Sequence, residues 1–146
     1  MNRFFGKTIL ITGGTSGMGL ATAHRLVAEG AHVIVTGRTR ARVDSAVKEL
    51  GSNASGIVAD AADLGAVEAL METVRDRHGQ LDGLFANAGT GTFLPFENIT
   101  EPDFDHGIDV NFKGVFFTVQ RHCRYWRTEA RSSSTPPGPS TGATAS

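Results

Sequence analysis

Between Thr8 and Gly19 the chain reads TILITGGTSGMG, an apolar β-branched run that breaks abruptly into Gly13, Gly14, Gly17 and Gly19. The chemistry open to such a stretch is anion binding. A helix that starts directly after a strand leaves unpaired N–H groups and the positive end of its dipole aimed over the strand's carboxyl end. A pyrophosphate suits that position, and glycine lets it approach the backbone. A flexible turn that only reverses the chain would use the same glycines. The context favours the nucleotide, because the cluster follows a strand, opens a helix and lies inside a βαβ unit. It is not the G-x-G-x-x-G form, since three residues separate Gly13 from Gly17, and it is not a P-loop, since no Lys-Ser/Thr follows.

The elements that would position this turn can be read from periodicity. Ile9, Leu10 and Ile11 lack polar alternation, as in a parallel strand buried on both faces. Leu20, Ala21, Ala23, His24, Leu26 and Val27 then follow at helical spacing until Gly30. His32 to Thr36 is a second strand, and Arg40 to Leu50 a helix with Val43, Val47 and Leu50 on one face. Gly56 to Ala59 is a short third strand, and Asp63 caps a helix that ends near His78. Leu81 to Phe85 is the fourth strand. Thr100 and Asp103 form a capping-box pattern that opens a largely apolar fourth helix, expected to run to about His122.

This order predicts an α/β fold, a doubly wound parallel Rossmann sheet with strand order 3-2-1-4. Residues 1–122 make the incomplete domain, with no fifth strand, so that Leu81 to Phe85 is an open edge. Residues 123–146 are a separate tail, and 132–146 hold only Ser, Thr, Pro, Gly and Ala, a composition that predicts disorder.

Composition limits the partners. The net charge of -1 argues against nucleic acid, although ten Lys and Arg against fourteen Asp and Glu leave residues 1–120 at -4 and the remainder at +3. A single cysteine, Cys123, excludes an internal disulfide, and the histidines at 24, 32, 78, 106 and 122 lack metal-ligand spacing, so no metal is expected. No apolar run approaches transmembrane length and no signal region opens the chain, which predicts a cytoplasmic protein with no membrane partner.

The spacing T-G-x-x-x-G-x-G resembles the short-chain dehydrogenase/reductase family, and further marks stand in that family's order between residues 7 and about 120. Asp60, with Ala61 beside it, is similar to the acidic residue that holds the adenine edge; a loop aspartate or helix-cap partner is the alternative. Asn87, Ala88 and Gly89 resemble the N-A-G motif after the fourth strand, with Ala86 in place of a first Asn; a simple turn also favours these residues. Asn111, in DVNFKGVFF, resembles the helix Asn that supports a water in the proton relay beside the catalytic lysine. A lone Asn in an apolar helix otherwise demands a buried partner. The resemblance implies a catalytic role for Asn111 and cofactor contacts from Gly13, Thr15, Ser16, Gly17, Met18, Gly19, Arg38, Asp60, Ala61, Asn87, Ala88 and Gly89. After the second strand, Thr36, Gly37 and Arg38 offer no carboxylate to the ribose hydroxyl of NAD. The Arg38 guanidinium can take a 2′-phosphate, which points to NADP; the alternative is a solvated surface Arg.

The family's chemistry also needs a Ser and a Y-x-x-x-K motif, in which Lys lowers the Tyr pKa for proton exchange with the substrate oxygen. Neither is present: Tyr125 is followed by Trp126, Arg127, Thr128 and Glu129, and no Lys follows Lys113. The sequence therefore predicts the cofactor half of an NADP-dependent oxidoreductase of small alcohols or ketones, itself inactive, and oligomeric or aggregation-prone through its open edge. The alternative is a non-catalytic dinucleotide-binding or interaction module. The abrupt change after about Arg121 is further read as the loss of one base, because the shifted frame permits the family's helix end, Gly-Gly turn, fifth strand and strand-end Ser. A natural disordered tail is the other reading, and the encoding DNA distinguishes them.

Overall fold

The computed structural model describes residues 2–132; the tail predicted to be disordered lies, beyond Ser132, outside the described residues. Four parallel strands, β1 (Thr8–Thr12), β2 (His32–Gly37), β3 (Ala54–Val58) and β4 (Gly83–Ala86), form one sheet in the order β3-β2-β1-β4. Helices α1 (Gly17–Ala28), α2 (Arg40–Leu50) and α3 (Leu64–His78) form the crossovers.

Why β1 and β2 show no polar alternation is visible in the packing. Ile9, Ile11, Val33 and Val35 belong to a core that includes Ala23, Ala46 and Leu50, on the α1–α2 side. Leu10 and Ile34 join Leu70, Met71, Val74 and Leu81 in a second core on the α3 side. Each strand thus buries both of its faces, and the burial of such side chains contributes about 1.5–3 kcal/mol apiece.

Two strands differ from their predicted bounds. The third starts at Ala54 rather than Gly56, since pairing to β2 begins at Val33↔Ala54 and carries polar Ser55 and side-chain-free Gly56 with it. A Cβ at Gly56 would lie 2.4 Å from Val43 and 2.8 Å from Val47, so α2 demands the glycine that obscures the strand pattern. The fourth starts at Gly83 rather than Leu81. Asp82 ends the loop instead, its N–H donating to the Thr8 carbonyl at 2.8 Å and its Oδ2 accepting from the Thr8 N–H at 2.8 Å.

The expected fourth helix is three pieces. Its start is as predicted: Thr100 accepts from the Asp103 N–H, the Asp103 carboxylate accepts from the Thr100 N–H, and α4 (Glu101–Ile108) follows. The run then widens into a π-helical segment, Asp109–Gly114, before α5 (Val115–Ser132). Helix α5 continues past the expected end near His122. Arg121 pairs with Glu68 of α3 at 2.8 Å, and the Tyr125 hydroxyl donates to the Gly79 carbonyl. Thr118 and His122 are buried, whereas Phe104, Phe112, Phe116 and Val119 face outward, leaving an apolar stripe uncovered. Among the described residues, β4 pairs only with β1 and is a sheet edge.

The amino-terminal segment is held by one buried carboxylate. Glu29 accepts from the Arg3 Nε and Nη2 and from the Arg25 Nε, and its carbonyl accepts from the Phe4 N–H at 3.0 Å. The Arg3 hydrogen bond first, then that of Arg25, holds the Glu29 carboxyl at about 2, below its ordinary 4.5. A folded-state pKa below the unfolded one means stabilisation that is complete above about 4.5 and is lost as the pH falls towards 2. Urea melts of the wild type and Glu29→Gln should therefore differ most at neutral pH and converge as the pH is lowered through that window. A constant gap would contradict the assignment.

Candidate functional site

Helix α1 begins on Ser16, whose backbone is extended at φ -159° and whose hydroxyl caps no N–H. The first helical N–H groups consequently lack intrahelical acceptors. No acidic side chain occupies the first turn to neutralise them. Gly17, at φ +55°, makes the bend into the helix, a conformation that costs a residue with a Cβ roughly 1–2 kcal/mol.

The turn is pinned from two sides. The Gly14 N–H donates to the Thr36 carbonyl of β2 at 3.1 Å. From the other side the Asn87 Nδ2 donates to the Gly13 carbonyl at 3.2 Å, and the Asn87 and Ala88 N–H groups both donate to the Thr12 Oγ1, at 3.1 and 3.2 Å. Buried Thr12 thus ties the end of β1 to the end of β4, a positioning role that no separate sequence signal announced. These hydrogen bonds join the glycine turn to the N-A-G segment.

A cleft of about 910 Å³ lies over the carboxyl ends of the strands. Gly13, Thr15, Ser16, Met18, Arg38, Asp60, Ala61, Asn87, Ala88, Gly89 and Asn111 all line it. Gly17 and Gly19 are not part of its lining; Gly17 makes the bend and Gly19 lies against the Gly13 carbonyl. The wall also includes Thr36, Gly37, Thr39, Arg42, Thr90, Gly91, Phe93 and Val110, none of which was a candidate from sequence. Arg42 lies in the first turn of α2, whereas Arg38 precedes its N-cap, Thr39.

Charge within the cleft is uneven. Its charged lining residues are Arg38, Arg42 and Asp60, a net positive wall suited to a polyanion. Asp60 already uses Oδ1, which accepts from the Ala62 N–H at 2.9 Å. Among the described residues, Arg38 and Arg42 form no ion pair, while Arg40 between them pairs with Asp44 at 4.0 Å.

Asn111 is exposed rather than buried, so the expected buried partner is not what holds it; its amide is engaged by main chain. Its Oδ1 accepts from the Thr90 N–H at 2.8 Å and its Nδ2 donates to the Thr90 carbonyl at 2.7 Å. Both ends of the amide serve one peptide neighbour, so the side chain clamps the loop after β4 against the π-helical segment. Gly114, in the last position of that segment, faces the Ala61 carbonyl, and a Cβ there would lie 2.3 Å from the oxygen. The Asp60–Ala61 loop, the Thr90 loop and the π segment therefore meet at the cleft through main chain and one amide.

Ligand sites in open parallel sheets lie outside the carboxyl ends of the strands, at the point where the strand order reverses. Here the order reverses between β1 and β4, and the cleft is there. Residues 7–134 match the short chain dehydrogenase family. The chain is similar to oxidoreductase asL5 of Sarocladium schorii, 38% identical over 120 residues that cover 82% of this chain and 48% of that protein. It is also similar to levodione reductase of Leifsonia aquatica, 38% identical over 133 residues, 87% of this chain and 50% of that one. Among solved structures, a short chain dehydrogenase from Bacillus anthracis superposes with a TM-score of 0.80 at 28% identity, over 84% of this chain and 52% of the other. The chain thus spans about half the length of these relatives. Fold, glycine turn and sequence agree, and the chain belongs to the short-chain dehydrogenase family of oxidoreductases.

Proposed function

We propose that this chain is the dinucleotide-binding part of a cytoplasmic short-chain oxidoreductase of small alcohols or ketones, and that it takes NADP in preference to NAD. The observation that carries the reading is the cleft itself, with two guanidinium groups that form no ion pair among the described residues at one end, the α1 N-terminal N–H groups in the middle and the Asn111–Thr90 clamp at the other. The Ser16 hydroxyl and the N–H groups of the first α1 turn would hold the pyrophosphate. Asp60 would face the adenine edge through the oxygen that Ala62 leaves free, and Arg38, with Arg42 beside it, would hold the 2′-phosphate. Asn87 to Thr90 would border the nicotinamide half, kept in register by Thr12 and Asn111. Bound NADP supplies the hydride; the residues of this chain bind and orient it. Asn111 acts here as a positioning residue, since both ends of its amide are engaged by Thr90.

The proton-transfer step has no candidate in these 146 residues, because Tyr125 lacks a lysine four positions on. A protein limited to this chain is proposed to bind NADP without turnover.

The test of cofactor choice is a titration. Arg38→Ala should weaken NADP binding by about 1.5–2 kcal/mol, the lower range for a charge-assisted contact at an exposed site, and leave NAD binding nearly unchanged. Equal losses for both cofactors would remove the 2′-phosphate role. A second expectation concerns self-association. With Phe112 71% and Phe116 58% exposed beside the open edge of β4, the chain should oligomerise or aggregate. Sedimentation showing a monodisperse monomer at tens of micromolar would contradict it.

A further inference from the structure

At the opposite end of the sheet from the cleft, two histidines distant in sequence converge on one hydroxyl. His32 opens β2, Ser55 lies on β3, and His78 closes α3. The His32 Nε2 stands 3.1 Å from the Ser55 Oγ, the His78 Nε2 stands 3.5 Å from the same oxygen, and the two ring centres are 5.2 Å apart. One hydroxyl proton serves only one of the two imidazoles.

These three separations fit a tetrahedral ion. Bonds of about 2.0–2.1 Å place neighbouring donor atoms about 3.3–3.4 Å apart around a tetrahedral centre. The two nitrogen–oxygen distances, 3.1 and 3.5 Å, bracket that value. With each ring centre about 1.1 Å behind its Nε2, two imidazoles on such an ion have centres about 5.2 Å apart. The observed separation is the same.

We propose that the His32 Nε2, the His78 Nε2 and the Ser55 Oγ form a site for a borderline divalent transition-metal ion of the zinc class, with water as fourth ligand. Imidazole suits such ions, and all three residues are partly exposed, so ion and water can reach them. The ion would tie the end of α3 to the starts of β2 and β3. Among the described residues no three His, Cys, Asp or Glu side chains cluster. With a neutral hydroxyl as the third donor and Arg77 adding positive charge next to His78, binding is weaker than at a site with an anionic ligand.

The test uses the full, untagged chain titrated with zinc against a chromophoric chelator. One ion should bind per chain, at least tenfold more weakly in His32→Gln and in His78→Gln, with His24→Gln and His106→Gln unchanged. Cobalt(II) in place of zinc should give the intense visible bands of tetrahedral coordination. Should the glutamine variants at 32 and 78 fail to fold, the wild type still decides: zinc should shield His32 and His78, but not His24 and His106, from acylation by diethyl pyrocarbonate. Unchanged affinity in both variants, a weak octahedral cobalt spectrum, or acylation indifferent to zinc would overturn the site.

Discussion

Alanine at position 19 should weaken NADP binding by about 3 kcal/mol, more than a hundredfold, while the chain stays folded. The added Cβ would lie 2.3 Å from the Gly13 carbonyl oxygen and 2.6 Å from the Asn87 Nδ2, the two atoms that bond each other across the turn. Neither is the far end of a flexible chain. The free protein can relieve the overlap by parting the glycine turn from the N-A-G segment, and the ligand then has to bring them together again, so the strain reappears as lost affinity. Calorimetric titration of Gly19→Ala with NADP, beside a denaturant melt, separates the two effects. Affinity within threefold of the wild type would mean that the turn yields freely and does not define the cleft. Because the pyrophosphate is common to both dinucleotides, NAD binding should fall equally, which distinguishes this variant from Arg38→Ala.

The glycine turn was legible because its signal is local. A strand buried on both faces writes itself as an unbroken apolar run, and the turn after it as glycine, so β1, α1, β2 and α2 could be placed from periodicity. Signals weakened where one element answers to another. Gly56 breaks the pattern of β3 because Val43 and Val47 leave no room for a side chain. Leu81 is buried and apolar yet precedes β4, since Asp82 takes the bonds of Thr8. Side-chain periodicity said nothing of the π-helical segment, where Gly114 meets the Ala61 carbonyl and Asn111 meets Thr90. The Asn in an apolar run suggests a buried partner; the side chain is instead exposed, and its partner is the Thr90 main chain. Histidines 32 and 78 carried no spacing signal at all, because only the fold brings them together.

The π segment offers a test in which two like substitutions in one helical run have opposite signs. Gly107 lies in α4 with a helical backbone and nothing within 4 Å of an added Cβ. Alanine there should stabilise the chain by about 0.5–1 kcal/mol, the ordinary gain in helix propensity. Gly114 has no such freedom, because the Ala61 oxygen would be 2.3 Å and the Asp109 oxygen 3.0 Å from the new methyl. Both obstacles are backbone, so the segment itself must move, and overpacking of this kind costs about 2–3 kcal/mol. Its movement has a direction that binding can report. Displacing Gly114 separates the π segment from the Asp60–Ala61 loop on one side and draws Asn111 away from Thr90 on the other. Gly114→Ala should therefore lose cofactor affinity together with stability, while Gly107→Ala gains stability with affinity unchanged. Denaturant melts and nucleotide titrations on both variants check this. Equal and small effects at the two positions would show that the π segment does not brace the cleft.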